Sequence, residues 1–237
     1  YTTFMKREGF PPINIPYSVI GGAYIAHDAS KVDKEVAKPI SDIVLKEESV
    51  KSVQSQANGT SFSVVIEYKE GTDVNTVSKR LEKEVKASSD VSKQAVIKTT
   101  IPKFGFTERG DDAVVTLYSS NPDTSIQQLA DKGKAMAAYI KNQNVSSIKD
   151  ASIIDPFVAG MNTLTGQQAT SQTRFDRYGF VRDGQNVFYP SVSIGVSQSS
   201  GNDAIKLDDQ LKRVVAAYNS QENRDSGYEA VVSASYA

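Results

Sequence analysis

Apolar residues recur along this chain with two alternating periods. Val32, Val36, Ile40, Ile43 and Val44 are spaced three or four apart, or adjacent across that spacing, which predicts the buried stripe of a helix. Further on the period falls to two. Phe62, Val64, Ile66 and Tyr68 alternate with Ser63 and Glu67, as in a strand with one buried face. Helical spacing returns at Val74, Val77, Leu81 and Val85, with Lys79, Arg80, Glu82 and Lys83 facing water. Strands at 14–24, 50–57 and 94–101 complete a first pass of strand, helix, strand, strand, helix, strand. The order then repeats. Strands are predicted at 113–118, 145–154, 187–196 and 228–235, and helices by the stripes Ile126, Leu129, Met136, Ala137, Ile140 and Leu207, Leu211, Val214, Tyr218. Gly133 lies on the buried side of the first of these, where a missing side chain permits close approach to a sheet.

Turn and cap residues fit this division. Asn58-Gly59 predicts a type I′ hairpin turn, since both residues tolerate positive φ. Asp28, Thr72 or Asp73, and Asn202 or Asp203 are candidate helix caps, and 121–125 reads as a helix start. Each pass is therefore a β-α-β-β-α-β unit, whose natural packing is a four-stranded antiparallel sheet with both helices on one face. The expected class is α+β, with two tandem ferredoxin-like units at 1–102 and 112–237. They are joined by a linker at 103–111 that carries Phe104 and Phe106, and the second holds an insertion at 155–186.

Pro39 conflicts with this pattern. It stands inside the first helical stripe, removes the hydrogen bond to the Glu35 carbonyl and crowds it, at a typical cost of ~3 kcal/mol. Lys38, before the proline, is biased away from helix for the same steric reason. A kink or a break at Pro39 is expected.

Composition narrows the function classes. The 237 residues include 39% hydrophobic ones, enough for a packed core, and 28 acidic against 27 basic residues give a net charge of -1. That balance supplies no global attraction to nucleic acid or to an anionic membrane. There is no cysteine, so disulfides, thiol catalysis and thiolate metal sites are excluded. His27, the one histidine, lies in a turn and is read as a surface residue. No apolar run approaches the ~20 residues of a membrane span. The chain starts at Tyr1 and is expected to be a fragment or a processed product. Glu35, Glu47, Glu48, Glu82 and Glu84 fall on solvent faces or helix ends, and no nucleophile converges with them. "YIAHDAS" lacks the glycine and arginine of a phosphate-cradling loop. No enzyme, no cofactor and no metal site is expected. An RNA-recognition module would need Phe62 and Tyr68 on a solvent-facing basic sheet, which the composition does not favour.

The stretch "HDASKVDKEVAKPISDIV", followed by "VKSVQSQANGTSFSVVIEYKEGTDV", resembles the first extracytoplasmic loop of resistance-nodulation-division (RND) transporters, which are proton-driven exporters. The family's V-E-x-E-V-x-x-P-[IL]-E, G-V-x-x-[IV]-x-S and F-x-x-G-T-D patterns fall on Val32, Asp33, Glu35, Val36, Pro39, Ile40, Val50, Ser55, Gly59, Tyr68, Gly71, Thr72 and Asp73. Pro39, Gly59, Gly71, Thr72 and Asp73 would be its structural motif positions. "VFYPSVSIGVSQSSGNDAIKLDDQLKRVV" resembles, more weakly, the second half of the family's second porter subdomain. Two departures stand out: Ile25-Ala26 where Pro-Gly is common, and Ser41 where an acid is usual.

The resemblance implies an extracytoplasmic porter domain of a plasma-membrane exporter, on the outer face of a single-membrane envelope or in a periplasm. Related lipid- or protein-export components are the alternative. Its partners would be the rest of its own transporter, a homotrimer when intact, and a small amphiphilic or hydrophobic substrate, without nucleic acid. The excised piece would be monomeric, and the proton relay would lie outside this chain. Tyr118, Phe157 and Phe188 are candidate substrate-lining residues. Arg174, Phe175, Arg177 and Tyr178, in "RFDRYGF", form a candidate contact loop. The insertion is too short for a core of its own, so a loop or short hairpin and a reduced docking element are expected.

Overall fold

A computed structural model describes residues 16–102, 107, 109–201, 203–222 and 227–235. Strand β1 (Tyr17–Ala23) leads into a helical segment of three parts: α1 (Ala29–Val32), a π turn (Asp33–Ala37) and α2 (Lys38–Val44). Strands β2 (Val50–Asn58) and β3 (Ser61–Tyr68), helix α3 (Val74–Ala87) and strand β4 (Val96–Thr100) follow. All pairs among these strands are antiparallel, in the order β4-β1-β3-β2. Val32, Val36, Ile40, Val44, Leu81 and Val85 from the helices pack on Ile20, Val64 and Ile66 of one sheet face.

The second half repeats this arrangement: β5 (Ala113–Ser119), α4 (Ile126–Asn142), β6 (Ile148–Ile154), β10 (Gln185–Gln198), α5 (Ala204–Glu222) and β11 (Tyr228–Ala234). Its strands run β11-β5-β10-β6, again antiparallel. Leu129, Met136, Ile140, Leu207 and Leu211 cover Val115, Leu117, Val192 and Ile194. At Gly133 a Cβ would stand 2.7 Å from the Ile153 side chain and 2.8 Å from that of Val192, so the glycine sets how closely α4 rests on the sheet.

Between β6 and β10 lie β7 (Phe157–Met161), β8 (Gln168–Gln172) and β9 (Arg174–Arg182). Among the described residues, β7 and β8 pair only with each other, as a projecting hairpin. β9 pairs with β2 on one side and with the first part of β10 on the other. It thereby joins both halves into one sheet, of nine strands among the described residues. Segment 174–180, expected to be a contact loop, is thus a sheet strand. The Asp183-Gly184 turn explains this: both residues have positive φ, 52° and 75°, and the two-residue loop locks β9 onto β10.

The sheet curls so that its helix-free faces meet. Tyr17, Val19 and Val65 pack against Val114 and Ala234. Beside them runs a polar seam. Gln54 Nε2 donates to Ser193 Oγ (2.6 Å), Ser193 Oγ to Asp176 Oδ2 (2.7 Å), and Thr116 Oγ1 to Ser233 Oγ (2.8 Å). Gln54, Ser193 and Thr116 are no more than 1% exposed, so the seam is internal.

Pro39 neither breaks nor sharply ends the helix. The Lys38 N–H reaches back five residues to the Asp33 carbonyl, and Pro39 enters in the first turn of α2. The Glu35 carbonyl that Pro39 cannot satisfy accepts instead from Ser92 N–H, at 3.1 Å. The Asn58-Gly59 hairpin forms, but not as a type I′ turn, since neither residue has positive φ. Asn58 Oδ1 accepts from the N–H groups of Thr60 (2.9 Å) and Ser61 (2.8 Å), and this side-chain bond closes the turn.

Candidate functional site

Alternation along β9 assigns its side chains to two faces. Arg174, Asp176, Tyr178 and Phe180 share the helix-free face, and Phe175, Arg177 and Gly179 share the other. Of the first set, Tyr178 and Phe180 border an open cleft of about 500 Å³ between the halves. Tyr118, Tyr178 and Phe180 form its aromatic wall. Lys51, Ser52 and Glu67 enter from β2 and β3, Lys212, Val215 and Asn219 from α5, and Glu229 from β11.

The aromatic wall is ordered by stacking. Tyr118 lies 5.4 Å from Tyr178 and 5.4 Å from Tyr189 between ring centres, with its plane 6° from that of Tyr189. Phe180 stands 5.7 Å from Tyr118 and 6.1 Å from Tyr189. Such pairs add about 0.5–1.5 kcal/mol each beyond their buried area. The Tyr118 hydroxyl donates to Glu229 Oε2 at 2.7 Å. Burial, and after it this bond, pushes the Tyr118 phenol far above its ordinary range. Burial likewise pushes Tyr178 up to about 12. Both rings are therefore neutral hydrogen-bonding walls near neutral pH. On the rim, Lys51 pairs with Glu67 at 3.1 Å and Lys212 with Asp208 at 2.6 Å.

The sequence-predicted residues separate. Tyr118 and Tyr178 line the cleft. Phe157 opens the projecting hairpin, half-buried, and does not line it. Phe188 lies across from Gly179 on the opposite sheet face and packs against the first core. A Cβ at 179 would stand 2.4 Å from the Phe188 ring, so glycine admits it. Arg174 is ion-paired with Asp176 at 2.8 Å. Arg177 crosses to Asp33 in the π turn, at 2.9 Å, and lies 4.7 Å from the centre of the Phe175 ring. Burial pushes the Asp33 carboxyl up against the pull of Arg177. Phe104 and Phe106 of the linker and Asn202 lie outside the described residues.

The motif positions shape the first half and stay outside the cleft. The Gly59 carbonyl accepts from the N–H groups of Ala26 (3.0 Å) and His27 (2.7 Å), and His27 takes φ 56° there. Gly71 has φ 81°, Thr72 Oγ1 donates to the Lys69 carbonyl at 2.7 Å, and Asp73 caps α3 through Thr76 N–H at 3.2 Å. Ser41 is fully buried and donates to the Ala37 carbonyl at 2.8 Å, a position where a carboxylate would be desolvated.

Reading the sequence alone missed Phe180, Arg182, Tyr189 and Glu229. Asp183-Gly184 was the available signal: a two-residue turn there sets Phe180 opposite Val187 and Tyr178 opposite Tyr189. Nothing local marks Glu229. Among the described residues no helix is long and apolar enough to cross a membrane. No family model matches the chain. A local match, 38% identical over 64 residues, is found to the swarming motility protein SwrC of Bacillus subtilis (strain 168). It covers 27% of this chain, and 6% of that protein.

Proposed function

We propose that this chain is the extracytoplasmic porter portion of a proton-driven RND-type exporter, built of two tandem ferredoxin-like units that form a passage surface for a small amphiphilic substrate. The observation that carries the reading is the duplicated strand order, β4-β1-β3-β2 and β11-β5-β10-β6, each made by the same succession of elements. The motif between Val32 and Asp73 supports it, because its residues hold the first unit's turns and caps. In this reading the cleft contributes an aromatic and apolar wall, the projecting hairpin is a reduced docking element, and energy coupling resides elsewhere in the intact protein. The chain then stands on the outer face of a plasma membrane or in a periplasm. The RNA-binding alternative loses its platform, since Phe62 and Tyr68 are 4% and 2% exposed and pack in the first core.

Transport by the intact protein tests the proposal. Reconstituted in vesicles, it is expected to move a fluorescent amphiphile when a proton gradient is imposed, and a protonophore should stop the movement. A folded, correctly inserted protein that moves none of a cationic, an anionic and a zwitterionic amphiphile under a gradient would overturn it.

A further inference from the structure

The turn between β2 and β3 carries the one asparagine of the chain that is followed by glycine. Asn58 closes β2 and is held in register with Arg174 of β9. Its Oδ1 accepts three hydrogen bonds: from Thr60 N–H at 2.9 Å, from Ser61 N–H at 2.8 Å and from the Thr60 hydroxyl at 3.2 Å. The side chain thus reaches forward along the main chain, past the Gly59 nitrogen, to the two N–H groups beyond it. Asn58 and Gly59 are half-buried and Thr60 is exposed, so water reaches the turn.

These are the parts of a reaction between an asparagine and its own backbone. The nitrogen of the following residue can attack the side-chain carbonyl carbon and close a five-membered ring. Glycine in that following position has no side chain to hinder the approach. Negative charge then develops on Oδ1, and it is stabilised by donors fixed in advance at about 2.7–3.1 Å from that oxygen. Both backbone N–H groups on Asn58 Oδ1 lie in that range, and the Thr60 hydroxyl stands just beyond it.

We propose that Asn58 is a self-modification site, at which the folded β2–β3 turn promotes deamidation. The Gly59 nitrogen bonds to Asn58 Cγ and gives its proton to solvent. The Cγ–Nδ2 bond breaks, and Nδ2 leaves as ammonia with a proton taken from water. Water then opens the cyclic imide. Cleavage between the ring nitrogen and Cγ gives aspartate, and cleavage between that nitrogen and the main-chain carbonyl carbon gives isoaspartate. The aspartate form adds a negative charge and keeps the turn, because a carboxylate oxygen accepts from the same N–H groups. The isoaspartate form lengthens the main chain by a methylene. It draws the Gly59 carbonyl away from the Ala26 and His27 N–H groups that it accepts from in the unmodified turn. Asn58 does not line the cleft, and the site does not rest on the export reading.

Incubation of the 237-residue chain at mildly alkaline pH, followed by peptide mapping and isoaspartyl methyltransferase labelling, tests this. Imide and then acid are expected at Asn58 before any other asparagine reacts. The folded chain should react severalfold faster than the same chain unfolded in urea at the same pH, because only the fold presets the donors. Thr60→Val keeps the side-chain shape but removes the hydroxyl donor, and should slow the folded reaction roughly fivefold, the loss of one hydrogen bond. Thr60→Ser, which keeps the hydroxyl, should react at the parent rate. Circular dichroism checks that each variant folds. Should Thr60→Val not fold, the comparison of the folded and urea-unfolded parent decides. A folded chain that reacts no faster than the unfolded one, or a folded Thr60→Val that reacts at the parent rate, would overturn the site.

Discussion

Arg177 and Asp33 are 144 positions apart, and their pairing decides what each residue is for. Asp33 stands in the π turn with its side chain 3% exposed, and Arg177 stands in β9 at 22%. Removing one partner of such a pair leaves the other desolvated and uncompensated, at about 3–5 kcal/mol. Arg177→Ala is therefore expected to lower the urea unfolding free energy by about 3 kcal/mol. The double variant Arg177→Met with Asp33→Leu should recover most of that loss, and an additive double variant would refute the pairing argument. Residue-scale signals in the sequence were mixed in reliability. The caps Asp28 and Asp73 and the close approach at Gly133 were legible, because each rests on local backbone chemistry. The remedy for Pro39 was not legible, because Ser92, which satisfies the Glu35 carbonyl, comes from a loop beyond α3.

At the scale of elements, α3 is fastened to the edge strand β4 by one carboxylate. Glu82 accepts from the Thr99 N–H at 3.1 Å and also pairs with Lys86 one turn on. The Lys86 ammonium, and then Thr99, hold the Glu82 carboxyl below the usual carboxylate range. A carboxyl depressed in the folded state stabilises the fold fully above its unfolded value, about 4.3. That stabilisation is lost as pH falls through the lower folded value. Thermal midpoints measured downward from pH 6 should therefore fall below about pH 4.3, with a shallower fall in Glu82→Gln. Identical profiles for the two proteins would remove Glu82 from the acid response. The elements themselves were largely legible, since most are striped with period two or near 3.6. β9 was not, because Arg174, Asp176 and Arg177 look solvated in sequence and are paired inside the fold.

For the whole molecule, β9 makes the two halves mechanically one. It is hydrogen-bonded to β2 and to β10 along most of its length, and the Gln54–Ser193–Asp176 seam ties the same strands by side chains. Heating is therefore expected to give one cooperative transition, with far-UV circular dichroism and tyrosine fluorescence coincident. Two separated transitions would show that the halves unfold independently and that the shared strand carries little of their stability.

The amino-acid order by itself determined the succession of strands and helices and its repetition, because hydrophobic period, caps and turn residues act within a few positions of one another. It also determined which faces are buried within each half, since a strand or helix with one apolar face has one way to hide it. Only the tertiary structure decided that 174–182 is shared between the halves, that the helix-free faces meet on a polar seam, and that Arg182 and Glu229 face each other over aromatic rings. Those contacts join residues far apart in sequence. Their energies come from mutual burial and pairing, which have no counterpart in either segment until the chain has folded.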